Sequence, residues 1–122
     1  RVVVGQDMGQ VVNPAGADIQ AEGCVNMGLG YSLTEEVDFN WGKINNENFG
    51  DYQLPLFSMI PEKIDSVYVD AMDEPPQGGG EPAIISMGGA IANAVFDACG
   101  ARVRRMPLTP KRVLEALNKG TQ

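Results

Sequence analysis

The sequence predicts the α+β class, with a small mixed sheet and two or three helices packed on it. Three observations carry that expectation. Two β-type runs, Val2-Val3-Val4 and Ser66-Val67-Tyr68-Val69-Asp70, lie far apart in the chain. Two long stretches, residues 15–36 and 84–99, place apolar side chains at helical spacing. Fifteen glycines and eight prolines in 122 residues supply the turns between these elements.

Each element has a local reason. The three valines read as a buried strand. Residues 5–14 interrupt it with Gly5, Gly9 and the turn pair Asn13-Pro14. From 15 to 36 the pattern is helical, with Ile19, Cys24, Met27 and Leu33 among its apolar positions. Gly23, Gly28 and Gly30 are costly there, each by about 1 kcal/mol relative to alanine. They point to close approach by another backbone or a cofactor. Fraying near Gly28-Leu29-Gly30 is the simpler account of two of them. Residues 37–40 and 43–44 flank Trp41-Gly42 and read as a hairpin.

Residues 45–61 read as irregular chain with aromatic anchors at Phe49, Tyr52 and Phe57. The alternating run 66–70 is a second strand, and 73–82 is a loop. Ile84, Met87, Ile91, Val95 and Ala98 then repeat at helical spacing. Gly88-Gly89 weakens the case for an unbroken helix, and Gly100 stands where such a helix stops. Residues 101–106 read as extended. Thr109-Pro110 opens a last helix, with Val113, Leu114 and Leu117 on its apolar face and Gly120 closing it.

Composition bounds the chemistry. With 43% hydrophobic and 20% charged residues the chain can bury a core, which excludes a disordered segment. Residues 1–122 read as a single domain or a piece of a larger one. The absence of histidine excludes Ser-His-Asp and Cys-His catalysis, His-ligated metals and a histidine pH switch within the chain. Cys24 and Cys99 form no CxxC, which excludes a zinc ribbon or thioredoxin-type site. Their number permits one disulfide; two small apolar residues in helices is the simpler reading.

The net charge of -7 is unevenly placed, with six of the nine basic groups and only one acidic group in residues 102–122. The acidic body argues against nucleic-acid binding. The basic tail reads as a solvated face, with an anion or acidic partner as the alternative. No apolar run approaches the ~20 residues of a membrane span. No signal peptide is visible, and the start at Arg1 is the expectation for a fragment or processed chain.

The segment Pro75-Pro76-Gln77-Gly78-Gly79-Gly80-Glu81-Pro82 is the most informative. Consecutive glycines leave main-chain N–H groups open to a ligand. Three readings of Glu81 stand side by side. It caps the following helix, or belongs to a phosphate loop, or is a catalytic carboxylate desolvated by its apolar surroundings. The phosphate reading is the poorest, because the Lys-[Ser/Thr] pair is missing and Glu81 would repel the ligand. Gln20 offers a donor and an acceptor suited to the edge of a pterin-like or nucleobase-like ring. An exposed polar residue on a helix is the plainer reading.

Six blocks occur in order: Asp7-Met8-Gly9 with Val11-Val12-Asn13-Pro14, Gln20-Ala21-Glu22-Gly23, Asn48-Phe49-Gly50-Asp51-Tyr52, Gly80-Glu81-Pro82, Ile91-Ala92-Asn93-Ala94 and Asp97-Ala98-Cys99-Gly100. Through them essentially the whole chain resembles the C-terminal part of the molybdopterin-binding large subunit of the xanthine dehydrogenase and aldehyde oxidase superfamily. Residues 48–52 and 75–82 look closest to its isoquinoline 1-oxidoreductase and bacterial aldehyde dehydrogenase branch.

The resemblance implies a fragment of a larger molybdenum-binding domain. Such enzymes hydroxylate a carbon of an aldehyde or N-heterocycle with oxygen derived from water. By resemblance, Glu81 of the Gly-Glu-Pro block is the base on the molybdenum-bound hydroxyl. Gln20 of the Gln-x-Glu-Gly block contacts the pterin, and Gly79 and Gly80 form the wall beside the metal. The implied cofactor is molybdopterin with molybdenum, in the cytosine dinucleotide form usual in bacterial members. The pterin sulfurs hold the metal, so the chain supplies no metal ligand. The implied partners are the remainder of the large subunit and an iron–sulfur subunit or domain that carries electrons away. The isolated piece is expected to be inactive. The alternative class is a non-catalytic binding or assembly domain, docking a partner through its basic tail or its aromatic residues.

Overall fold

The computed structural model describes residues 1–119. The order is β1 (Val2–Gln6), α1 (Pro14–Leu33), β2 (Phe39–Asn40), β3 (Lys43–Ile44), β4 (Ile64–Tyr68), α2 (Pro82–Ile85), α3 (Met87–Cys99) and α4 (Pro110–Lys119). A 3-10 turn occupies Phe57–Met59. The α+β class holds. Its parallel pairing, β1 with β4, and its antiparallel pairing, β2 with β3, lie in two separate two-stranded sheets.

β1 runs past the valines because Gly5 and Gln6 continue the register, opposite Val67 and Tyr68. β4 begins and ends two residues earlier than its local alternation implies. Pairing with β1, rather than the 66–70 pattern, sets its ends. Alternation turns Val4 and Gln6 inward, both buried, and leaves Val3 and Gly5 exposed. Val4 joins Ala21, Cys24, Val25, Ala83 and Met87 in the core.

Asn13 caps α1 by accepting the Gly16 N–H at 3.0 Å, and Pro14 opens the helix. The fraying expected near Gly28-Leu29-Gly30 does not occur, since α1 continues to Leu33. A Cβ on Gly28 would sit 2.5 Å from the Cβ of Met87, and one on Gly30 would overlap Glu35. The close approach is therefore real, but side chains make it.

The second helical stretch breaks at Ser86, ahead of the glycine pair. The Tyr31 hydroxyl of α1 donates to the Ile84 carbonyl at 2.8 Å and accepts the Gly88 N–H at 3.1 Å. One side chain thus satisfies backbone groups on both sides of the break. Pro82–Cys99 has a mean hydropathy of 1.3 over 18 residues, enough by length and composition to cross a membrane. The stretch is broken at Ser86, and of its residues Ala83 and Met87 join the core, with Ile84 and Ile91 packed against it. Gly100, at φ +76°, ends α3 with its N–H on the Phe96 carbonyl at 2.7 Å.

Trp41 (φ +51°) and Gly42 (φ +79°) form the two-residue turn of the β2–β3 hairpin, with Trp41 99% exposed. Of the three aromatic anchors expected nearby, two are not anchored by burial: Phe49 and Phe57 are 82% and 88% exposed. Tyr52 is tied down, its hydroxyl donating to Glu35 at 2.8 Å. No strand or helix spans residues 101–109, where Ala101, Pro107 and Leu108 are buried. Thr109 Oγ1 accepts the Arg112 N–H at 3.3 Å at the start of α4. Leu114 is exposed, so the apolar face of α4 is only partly covered. Gly120, expected to close that helix, lies outside the described residues.

The basic tail is not simply a solvated face. Arg112 donates to both carboxylate oxygens of Glu36, at 2.7 and 2.9 Å, and to the Pro107 carbonyl at 2.9 Å. Arg102 lies 3.7 Å from the Phe96 ring centre. The Arg112 hydrogen bond is the main cause holding Glu36 below the usual carboxylate range, against an opposing desolvation. The folded chain therefore binds the Glu36 proton less tightly than the unfolded chain does. The pair stabilises above the ordinary glutamate pKa and is lost as pH falls through the lowered folded value. Glu36 is partly exposed, so solvent screens the effect. Melting temperatures of the protein should show wild type above Glu36→Gln at neutral pH, with the gap closing in acid. A gap independent of pH would rule out this origin.

Candidate functional site

The chain after β1 acts as a template for the glycine loop. The Met8 carbonyl accepts the Gln77 N–H at 2.8 Å, and the Gln10 N–H donates to the Glu74 carbonyl at 3.2 Å. Between them, Gly9 holds φ +65°, with its N–H on Asp7 Oδ1 at 3.1 Å. A Cβ on Gly9 would overlap the Pro75 carbonyl oxygen and lie 3.1 Å from its carbon. Only glycine meets both demands.

The loop is pinned from two further sides. Met8 is buried, and a Cβ on Gly79 would lie 2.8 Å from its Cε. From α1, the Cys24 thiol donates to the Gly80 carbonyl at 3.3 Å. Cys24 stands one turn after Gln20, on the same helix face. Gln20 is exposed there. Ideal Cβ atoms on Gly78 and Gly80 would meet nothing within 4 Å, so the loop presents bare backbone.

An open cleft of about 350 Å³ lies between α1 and this loop. Met8, Val11, Gly16, Gln20, Gln77 and Gly79 are among its lining residues. The fold thus brings Gln20 and Gly79 together in one cleft. Gly80 is tied to the same helix face through Cys24. Glu81 follows Gly80 but does not line the cleft.

Glu81 occupies the N-cap position of α2, yet its side chain makes no capping hydrogen bond. It is exposed, so the described residues do not supply the desolvated surroundings expected for a base. α2 has four residues, too few for a strong helix-end field. Among the described residues, no three acidic or cysteine side chains are grouped to hold a metal ion.

Two participants escaped the sequence reading. Cys24 was expected to be a plain apolar filler; it is buried and free, and it holds the loop. Its four-residue spacing from Gln20 was the available signal. Met8 is the other, with no signal beyond its place beside Gly9.

A family model described as the molybdopterin cofactor-binding domain matches residues 1–61. One nicotinate dehydrogenase subunit of Pseudomonas putida is 40% identical over 117 residues, covering 96% of this chain and 10% of that protein. The putative xanthine dehydrogenase molybdenum-binding subunit of Escherichia coli is 36% identical, covering 94% of this chain and 16% of that protein. Quinoline 2-oxidoreductase from Pseudomonas putida has a similar fold, with a TM-score of 0.85 at 25% identity over 96% of this chain and 16% of that one. Aldehyde oxidoreductase from Desulfovibrio desulfuricans gives 0.80 at 34% identity, over 93% of this chain and 13% of that one. The chain therefore spans roughly a tenth to a sixth of the length of these proteins.

Proposed function

Because the chain belongs to the molybdopterin cofactor-binding domain family, we propose that it is one unit, residues 1–122, of a molybdenum hydroxylase subunit oxidising an aldehyde or N-heterocycle. One observation carries this reading. Gln20 and Gly79 line one cleft, and Glu81 stands two residues further along the same loop.

The cleft suits the proposed group. Its lining is apolar at Met8 and Val11 and includes three carboxamide residues, Gln10, Gln20 and Gln77, the last with its Nε2 donating to the Pro75 carbonyl. Such amides donate and accept, as the edge of a pterin ring requires. When bound, the cofactor supplies the two-electron redox chemistry. Gln20 holds the ring edge. The backbone of Gly79 and Gly80 forms a wall that admits close approach. Glu81 takes a proton onto its carboxylate as the substrate carbon gains oxygen from water. The rest of the subunit covers Glu81 and removes it from solvent. The cofactor is the cytosine dinucleotide form, and an iron–sulfur subunit or domain takes the electrons. The chain is inactive when separated from these parts.

The test is substrate-dependent dye reduction by the complete enzyme, wild type against Glu81→Gln, at matched molybdenum content. Equal activity would favour the non-catalytic assembly reading instead. A separate outcome concerns Gln20. Gln20→Ala should weaken cofactor retention by about 2- to 13-fold, the effect of one hydrogen bond worth about 0.5–1.5 kcal/mol. Its melting temperature should hold, because the side chain is exposed. Unchanged molybdenum content on dialysis would remove the contact.

A further inference from the structure

β1 and β4 form a parallel sheet of only two strands. Parallel sheets are normally covered on both faces, and two strands alone are marginal in water. Here the outward face is uncovered, with Val3, Val67 and Val69 57%, 59% and 52% exposed. The edge is open as well. Val2 N–H donates to the Lys63 carbonyl, and Val69 N–H to the Gln6 carbonyl. With the register Val2↔Ile64 to Gln6↔Tyr68, residues 2, 4 and 6 spend their backbone groups on β4. Val3 and Gly5 turn theirs to the opposite side.

That side is a groove of about 310 Å³. β1 forms one wall, and Ala83, Ser86 and Ala90 stand on the other. These side chains are small and leave room for extended backbone. Gln6 also borders the groove; it is 8% exposed and its Nε2 has no hydrogen-bond partner among the described residues. The relatives are some six to ten times longer than this chain, so further polypeptide of the same subunit is available to fill it.

We propose that the β1 edge receives a third strand from the remainder of the same subunit, seated between β1 and the α2–α3 wall. Main-chain bonds to Val3 and Gly5 fix its register. The open edge follows from the sheet geometry, and the choice of occupant rests on the reading that the chain is one unit of a longer subunit, independently of the role of Glu81.

Residue-resolved hydrogen exchange on the complete subunit tests it without reading activity. The Val3 and Gly5 amides should exchange at least about 100-fold more slowly than unstructured chain, as is expected of Val4, which is paired to β4. Val3→Pro should lower the melting temperature more than Val3→Ala, since proline is tolerated only where the strand N–H faces solvent. Fast exchange at Val3 and Gly5 beside a protected Val4 would overturn the proposal. So would protection that grows with protein concentration, which would assign the edge to a second copy. Equal melting of the two Val3 variants would overturn it too.

Discussion

Replacing Glu81 with glutamine in the complete enzyme should lower turnover by about 10²- to 10⁴-fold while molybdenum stays bound, the usual range for losing a general base. Glutamine keeps the shape and hydrogen-bonding reach of glutamate but cannot take up the proton. Glu81 makes no capping hydrogen bond and is exposed, so the substitution should change stability by less than about 0.5 kcal/mol. That separation of chemistry from folding is the value of the variant. The loss should fall on kcat and kcat/KM alike, because the proton moves only in the chemical step. Dye reduction at matched molybdenum content reads it. Near-normal turnover would leave the glycine loop structural, and family membership would then give ancestry without mechanism.

Gly9→Ala should be the most damaging single change near the cleft, although Gly9 lines neither wall of it. Two penalties coincide. The residue holds φ +65°, which costs a side-chain-bearing residue about 1–2 kcal/mol. The new Cβ would also strike the Pro75 carbonyl, a backbone group that cannot rotate away. Overpacking of this kind costs about 1–3 kcal/mol more. The loop must lift, which strains the Gln77–Met8 and Gln10–Glu74 bonds that seat it. We expect a clear fall in melting temperature together with reduced molybdenum content in the complete enzyme. Gly78→Ala is the control, because its Cβ would enter open space and its φ is not positive. Equal behaviour of the two variants would show that the clip between residues 8–10 and 74–77 does not position the loop.

Much of the architecture was legible in sequence because it is local. Asn13-Pro14 opens α1, Trp41-Gly42 turns the hairpin, Gly100 stops α3 and Thr109-Pro110 starts α4. Each depends on backbone preferences within a few residues, so neighbours in the chain suffice to specify it. The ordered blocks from Asp7 to Gly100 carried the family likeness for a similar reason: a run of residue types survives being read in one dimension. The separation of the pairings into two sheets was not legible, since strand partners are chosen across the fold.

The site's construction was decided only in three dimensions. Gly28 accommodates Met87, which lies 59 positions away. Cys24 reaches Gly80, and Tyr31 bridges the break between α2 and α3. Beside three glycines the sequence leaves Glu81 open between a helix cap, a phosphate loop and a desolvated base, because burial depends on what packs over a side chain. By itself the sequence determined the class, the turns and caps, and the family. The tertiary structure decided which glycines are contact points, which thiol holds the loop, and that Gln20 shares a cleft with Gly79, because such contacts join residues whose separation along the chain says nothing of their distance in space.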